Sequence, residues 1–184
     1  MELLINFLII IMVVIVLLII ILIIIHSVKK KRIIDRMNIE VNDALKQLVE
    51  QSNNKYSYEK ISNEVYDYIL TSNKYQYYIK VIPNLNNEDI CINSALKWNY
   101  GKNIGIENKK EVKENEELIR LDIKKEKNGK KPRKLFIIYP DAKSLIMVVN
   151  ECEYEFVDSD TDVYGNNIIT YNYFINNLFN SIEL

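Results

Sequence analysis

Glycine, proline, cysteine and histidine are all scarce in this sequence. Its 184 residues include only 4 Gly, 3 Pro, 2 Cys and 1 His. The few glycines form neither a GxGxxG nor a GxxxxGK[ST] loop, which argues against a Rossmann dinucleotide site and against a P-loop. A single His excludes a multi-His metal site and a Ser-His-Asp triad built from one chain. We therefore expect no cofactor and no metal centre.

The two cysteines, Cys91 and Cys152, form no CxxC pair. In a cytosolic domain we expect both to be reduced and to act as small core residues. If the domain is exported, the same two residues are candidates for a single disulfide bond.

Acidic and basic residues balance, so the formal net charge is −1 and nothing indicates a general nucleic-acid surface. Asp158, Asp160 and Asp162 are spaced like the start of an EF-hand loop. Val163 stands where that loop needs Gly, and Ile169 stands where it needs a bidentate Glu. The sequence therefore predicts a solvated acidic turn rather than a calcium site.

The dominant feature is an uninterrupted apolar run from Leu3 to Ile25. Asn6 is its only polar side chain, and it contains no charge, Gly or Pro. At ~1.5 Å per residue, a helix of this length covers roughly 35 Å and crosses a hydrocarbon core of about 30 Å. The Met-Glu start and the length of the run are atypical of a cleaved signal peptide. The sequence therefore predicts a single transmembrane anchor within residues 1–28.

The flanking charges predict the orientation of this anchor. No Lys or Arg precedes the span, whereas a basic cluster follows it at once. Basic residues are retained on the cytoplasmic side, so the rest of the chain is expected in the cytosol with the N-terminus outside. The bilayer is then the first predicted partner, since four of these side chains can contact anionic headgroups. They are Lys29, Lys30, Lys31 and Arg32.

Residues 29–52 are predicted to form a basic juxtamembrane segment followed by an amphipathic helix. Apolar residues at 3-4 spacing form one stripe, which includes Ile34, Met37, Val41 and Leu48. One interpretation is that this stripe packs on the chain's own domain. The other is a short parallel coiled coil that dimerises the chain through residues 33–51.

Residues 53–184 are predicted to form one soluble α+β domain, with a mostly antiparallel sheet flanked by helices. Helices are expected at 57–71 and 168–182. Strands are expected at 75–82, 90–98, 104–107, 118–124 and 134–139, and as one long bulged strand at 144–157. Asn128-Gly129 favours a type I′ hairpin between residues 118–124 and 134–139. The tyrosines at positions 75, 77 and 78 are ordinary strand formers or, alternatively, line a peptide-binding edge.

Three residues are the candidate catalytic set. Asp89 opens the second predicted strand, and Glu107-Asn108-Lys109 closes the third, with Glu107 and Lys109 on one face. This arrangement resembles the PD-(D/E)xK nuclease superfamily, although Glu88 rather than Pro precedes Asp89. The resemblance implies that the two carboxylates hold Mg²⁺ or Mn²⁺ while Lys109 assists phosphodiester hydrolysis. The alternative is a charged strand end and loop.

The interpretation favoured by the whole sequence is a single-pass membrane protein whose cytosolic domain is a binding, scaffold or accessory module for another protein. Two alternatives stay open. One is a membrane-tethered, metal-dependent nuclease that uses Asp89, Glu107 and Lys109. The other is an exported, pilin-like or envelope protein with the domain outside the cell.

Overall fold

The described part of the chain comes from a computed structural model and divides into two units, Met1–Asn38 and Ile39–Leu184. The structure describes residues 2–53, 55–61, 65–95, 97–101, 112–114, 129–150, 153–159 and 161–177. One long helix begins in the first unit and ends in the second. All strands lie in the second unit.

Helix α1 runs without interruption over Glu2–Gln51. It is the one described helix long and apolar enough to cross a membrane, and the side chains of its apolar segment are exposed. In lipid a helix satisfies its own backbone hydrogen bonds, so a segment rich in Ile and Val stays helical there. The helix ends where Asn53 takes a left-handed conformation with φ 52°. The predicted apolar helix and its amphipathic continuation are therefore one element.

The helix predicted at 57–71 is wrong. The structure has two antiparallel strands there, β1 (Ser57–Lys60) and β2 (Tyr68–Thr71). The Asp67 carboxylate accepts a hydrogen bond from the Val81 amide at 2.7 Å and lies 3.3 Å from the Lys80 amine. These contacts hold β2 against the next strand, so tertiary pairing overrides the helical spacing of the apolar residues.

Sheet A contains five strands in the order β1-β2-β3-β7-β10. Strand β3 (Tyr75–Pro83) is antiparallel to β2 but parallel to β7 (Lys131–Tyr139), and β7 is also parallel to β10 (Asn167–Thr170). The hairpin predicted around Asn128-Gly129 pairs residues 134–139 with residues 118–124. This prediction is wrong for residues 134–139, because they lie in β7, which pairs with β3 and β10 instead. Residues 118–124 lie outside the described residues.

Sheet B contains five strands in the order β6-β5-β4-β8-β9. The predicted strand 90–98 is two strands, β4 (Asp89–Ile92) and β5 (Lys97–Gly101), joined by a turn in which the Ser94 hydroxyl accepts from the Lys97 amide. Strand β6 is Val112–Glu114. The predicted long strand 144–157 is an antiparallel pair, β8 (Leu145–Asn150) and β9 (Glu153–Phe156), with an irregular register between Val148 and Asn150. Residues 104–107 lie outside the described part of the chain.

Two connections pass from sheet A to sheet B and lie side by side. The first leads from β3 to β4 and the second from β7 to β8, so that β3 and β7 are parallel in one sheet and β4 and β8 are parallel in the other. The Asn84 amide donates to the Tyr139 carbonyl at 2.6 Å, and the Ile90 amide donates to the Ser144 carbonyl at 2.9 Å. Both sheets are therefore mixed, which corrects the prediction of a mostly antiparallel sheet.

One hydrophobic core lies between the two sheets. Sheet A contributes alternate side chains of its central strands, and sheet B contributes those of β4, β5 and β8 that face them. Trp98 and Phe136 are the largest fully buried side chains of this core. The buried members from the strands are Tyr78, Ile82, Ile90, Ile92, Trp98, Phe136, Ile138, Leu145 and Ile168.

The part of α1 from Ile39 onward covers the other face of sheet A. The Tyr139 hydroxyl, which lies on that face, donates to the Glu40 carboxylate at 2.8 Å, and the Tyr171 hydroxyl donates to the Glu40 carbonyl at 3.3 Å. Val41 and Leu45 on this stretch are fully buried. The described residues of the domain therefore form three layers: helix, sheet A and sheet B, a roughly α+β arrangement.

The C-terminal helix is shorter than predicted. Residues 167–170 form β10, and helix α2 covers only Tyr171–Asn176. The Thr170 side chain caps α2 by accepting a hydrogen bond from the Tyr173 amide. Phe174 is the buried residue of this helix. The pairing of β10 with β7 replaces the first turn of the predicted helix, and residues 178–182 lie outside the described residues.

A pair of substitutions on α1 tests the helix–sheet contact. Because Leu45 is fully buried and Ile39 is 61% exposed, we expect Leu45→Ala to lower the free energy of unfolding by about 2–5 kcal/mol. Ile39→Ala should change it by less than ~0.5 kcal/mol. Urea unfolding of the full chain in a nonionic detergent measures both. Equal effects of the two substitutions would contradict this packing.

The buried phenol of Tyr68 predicts a loss of stability at alkaline pH. Burial, and then the charge of Asp67, raise its pKa from 10.0 to about 12. The folded protein therefore keeps a proton that the unfolded chain releases above about pH 10, so the free energy of unfolding falls as pH rises from 10 to 12. The full effect is ~3 kcal/mol. Tyr68→Phe should flatten this part of the pH profile, and an unchanged profile in that variant would contradict the assignment.

Candidate functional site

The four basic residues predicted to contact the membrane surface follow the apolar segment of α1 directly. Lys29, Lys30, Lys31 and Arg32 are consecutive helical residues, and all four are exposed. Because successive residues of a helix are about 100° apart, the four side chains surround the helix rather than form a stripe. Such a collar presents positive charge in every direction around the helix.

The residues of the possible oligomer stripe differ in their burial. Val41 and Leu48 are fully buried within a single chain, and Met37 is also buried, whereas Ile34 is partly exposed. Since Val41 and Leu48 belong to the stretch of α1 that covers sheet A, their burial favours packing on the chain's own domain. The dimer through residues 33–51 stays a prediction from the sequence.

Of the three candidate catalytic residues, the structure describes only Asp89. This carboxylate is 7% exposed at the start of β4 and is the one buried charged side chain among the described residues. It shares a face of sheet B with Cys91 and Asn99, because Cys91 pairs with Asn99 across β4 and β5. Glu107 and Lys109 lie outside the described residues. The nuclease interpretation therefore stays a prediction.

No metal site is visible in the part of the chain that the structure describes: no three His, Cys, Asp or Glu side chains there are placed to share an ion. Within the predicted acidic turn, the Asp158 carboxylate accepts from the Thr161 amide at 3.0 Å, and the Asp162 carboxylate accepts from the Gly165 amide at 2.6 Å. These carboxylates hold tight turns. Asp160 lies outside the described residues.

The tyrosine-rich strand is not a free edge. Strand β3 lies between β2 and β7, so the alternative of a peptide-binding edge at Tyr75, Tyr77 and Tyr78 is wrong. Tyr75 instead carries basic neighbours, with the Arg133 guanidinium 4.2 Å and the Lys74 amine 5.0 Å from its ring centre. A hydrogen bond to Lys74 lowers the pKa of Tyr75, and the charge of Arg133 adds to the effect.

The β8–β9 hairpin carries three of the five large apolar side chains that are exposed among the described residues of the second unit. Phe156 is 68%, Val149 57% and Tyr154 50% exposed. The other large apolar side chains exposed among the described residues of that unit are Ile39 and Tyr164. The Tyr154 and Phe156 rings lie edge to face with centres 6.2 Å apart. A concentrated exposed apolar surface on a folded domain is typical of an interaction site.

Strand β9 is the last of the described strands on one side of sheet B, and its register shows which backbone groups face outward. The Val157 amide donates to the Leu145 carbonyl at 2.9 Å, and Glu155 lies opposite Met147. Hydrogen-bonded and non-hydrogen-bonded pairs alternate in an antiparallel ladder. Tyr154 and Phe156 therefore occupy the non-hydrogen-bonded positions, and their N–H and C=O groups point away from β8. We call these two residues, with Glu153 and Glu155, the β9 edge.

The sequence that contains the β9 edge carries charge of one sign. After Lys143 the sequence contains no further Lys or Arg, while it contains seven acidic residues, at positions 151, 153, 155, 158, 160, 162 and 183. Glu153 and Glu155 are both exposed. The Glu153 carboxylate also accepts a hydrogen bond from the Asn150 side chain. The β9 edge therefore has exposed aromatic rings on one face and carboxylates on the other.

The sequence separates the two faces of this segment but does not show its exposure. The alternation of glutamates with Tyr154 and Phe156 predicts one solvent-facing and one core-facing side. In the structure both sides of β9 are exposed, although Ile146, which lies opposite Phe156 on the same face of sheet B, is buried. The run of acidic residues without a single Lys or Arg was the available signal.

Comparison with known proteins adds no family: no family model, curated protein or solved structure matches this chain. A function for this chain is therefore inferred from the geometry of its described residues.

Proposed function

We propose that this chain is a single-pass membrane protein whose second unit lies in the cytosol and binds a partner protein. The observation that carries the binding function is the β9 edge, where exposed aromatic rings and outward-facing backbone groups occur on the same two residues. The anchor holds the chain at a membrane, because α1 has an exposed apolar segment long enough to cross a bilayer.

The cytosolic orientation is supported by charge. The basic collar at Lys29–Arg32 directly follows the apolar segment. Such residues resist translocation and interact with the anionic cytoplasmic leaflet, each contributing about 1 kcal/mol. This arrangement favours a cytosolic domain over the exported, pilin-like alternative.

The exposed rings and the outward-facing backbone groups of the β9 edge support the binding role. A sheet edge with exposed aromatic side chains is a template for pairing with another chain, and soluble domains ordinarily protect such edges. Peptide recognition by strand addition uses this geometry, with main-chain hydrogen bonds for affinity and alternate side chains for specificity. Proteins held at a membrane as adaptors or accessory subunits need one such surface.

Cysteine labelling in intact cells tests the orientation. In a chain with Cys91 and Cys152 replaced by Ser, we expect a membrane-impermeant maleimide to modify Glu2→Cys but not Ser57→Cys. Permeabilisation should expose Ser57→Cys, which lies on the surface of the domain. The reverse pattern in intact cells would contradict the cytosolic placement and support the exported alternative.

Site-specific photo-crosslinking in cells tests the binding surface. With p-benzoylphenylalanine in place of Tyr154, we expect a discrete crosslinked species, because the ring is exposed beside the free edge. Phe156→Ser in the same chain should reduce the yield at least about fivefold, since removing one exposed contact of ~1 kcal/mol has that effect.

The matched control is the same photoreactive residue in place of Tyr164, which is exposed to a similar extent at 49% but lies outside the β9 edge. No discrete crosslink is expected there. Equal yields at positions 154 and 164, or none at position 154, would contradict the proposed binding surface.

A further inference from the structure

We infer that the β9 edge is completed by an extended segment of a partner protein in which basic and apolar side chains alternate. The inference rests on the proposed function and specifies the chemistry of the partner. It depends on three properties of the β9 edge: the direction of its backbone groups, the position of its aromatic rings and the sign of its charge.

The backbone determines how a partner strand is placed. Tyr154 and Phe156 present their N–H and C=O groups away from β8, and no described strand lies beyond β9 in sheet B. A partner strand therefore forms its hydrogen-bonded pairs with these two residues. The partner residues opposite them carry their side chains on the same face as the two rings.

The two faces of the β9 edge require different partner side chains. On one face, Tyr154 and Phe156 offer apolar contact to the residues directly opposite. On the other face, Glu153 and Glu155 lie opposite the intervening partner residues. Opposite charges across strands are favourable, so Lys or Arg is the complement at those positions. The partner sequence is thus apolar and basic in alternation.

A second copy of the same edge is a poor occupant. Residues paired across two strands share a face, so any pairing of β9 with another β9 that keeps the rings together places Glu opposite Glu. Like charges directly opposite one another are destabilising. The surrounding segment adds to this repulsion, because positions 144–184 contain no Lys or Arg. A basic partner removes the repulsion.

Synthetic peptides provide the test. The probe is a fluorescent seven-residue peptide of alternating Lys and Val, and its controls are a scrambled peptide of the same composition and an alternating Glu and Val peptide. Fluorescence anisotropy measures the affinity of each peptide for the full chain in nonionic detergent. Hydrogen exchange with mass spectrometry then locates the bound peptide.

We expect the alternating basic peptide to bind more tightly than either control and to slow amide exchange at Tyr154 and Phe156. Glu155→Lys should weaken binding roughly tenfold, because it converts a favourable cross-strand charge pair into a repulsive one. The matched control is Glu59→Lys, an exposed glutamate on edge strand β1 of the other sheet, which should leave the affinity unchanged. Phe156→Ser should weaken binding, and Ile39→Ser should not.

Four results would overturn the inference: no binding of the basic peptide, equal binding of the scrambled or acidic peptide, equal effects of Glu155→Lys and Glu59→Lys, or a self-association of the chain that Phe156→Ser abolishes. The last result would identify a second copy as the occupant.

Failure of this inference is distinguishable from failure of the proposed function. If photo-crosslinking at position 154 succeeds while the peptides bind without charge dependence, the β9 edge binds a partner of different chemistry. If crosslinking at position 154 gives no product, the binding surface itself is wrong.

Discussion

The two central strands of sheet A carry apolar side chains on both faces, and the rest of the domain is arranged to cover them. Five consecutive residues of β7, from Leu135 to Tyr139, are buried. Such a strand is stable in water only when layers lie on both sides of it. Sheet B covers one side, and α1 from Ile39 onward covers the other. The Tyr139–Glu40 hydrogen bond joins the helix layer to this strand.

Features determined by a single element were predictable from the sequence. The apolar run and the amphipathic stripe after it each depend on one helix, and β3 has enough Tyr, Ile and Val to be recognised alone. The helix predicted at 57–71 failed because Ile61, Val65, Tyr68 and Ile69 also fit the spacing of a helical stripe. Residues 68–71 instead form a strand because they pair with β3. The local sequence of the two segments gives no sign of that pairing.

Prediction from the sequence has the same limit at the β9 edge, the proposed binding surface. Alternation in the sequence separates Tyr154 and Phe156 from the glutamates, but it does not reveal whether anything covers the rings. The exposure is not a property of the whole face, because Ile146 lies opposite Phe156 on that face and is buried, whereas Phe156 is 68% exposed. Charge composition was the more informative signal, since the absence of Lys and Arg after Lys143 is visible without any structure.

The parallel pairing of β3 with β7 has a consequence for how the chain matures. Tyr75 and Lys131 are neighbours in the sheet although more than fifty residues separate them along the chain. Contacts between such distant segments form slowly, because a long loop must close first. The apolar helix leaves the ribosome before any strand does, so membrane insertion can precede completion of sheet A. In the proposed topology, the domain then assembles its sheets next to the membrane, and its exposed strands need protection from aggregation there.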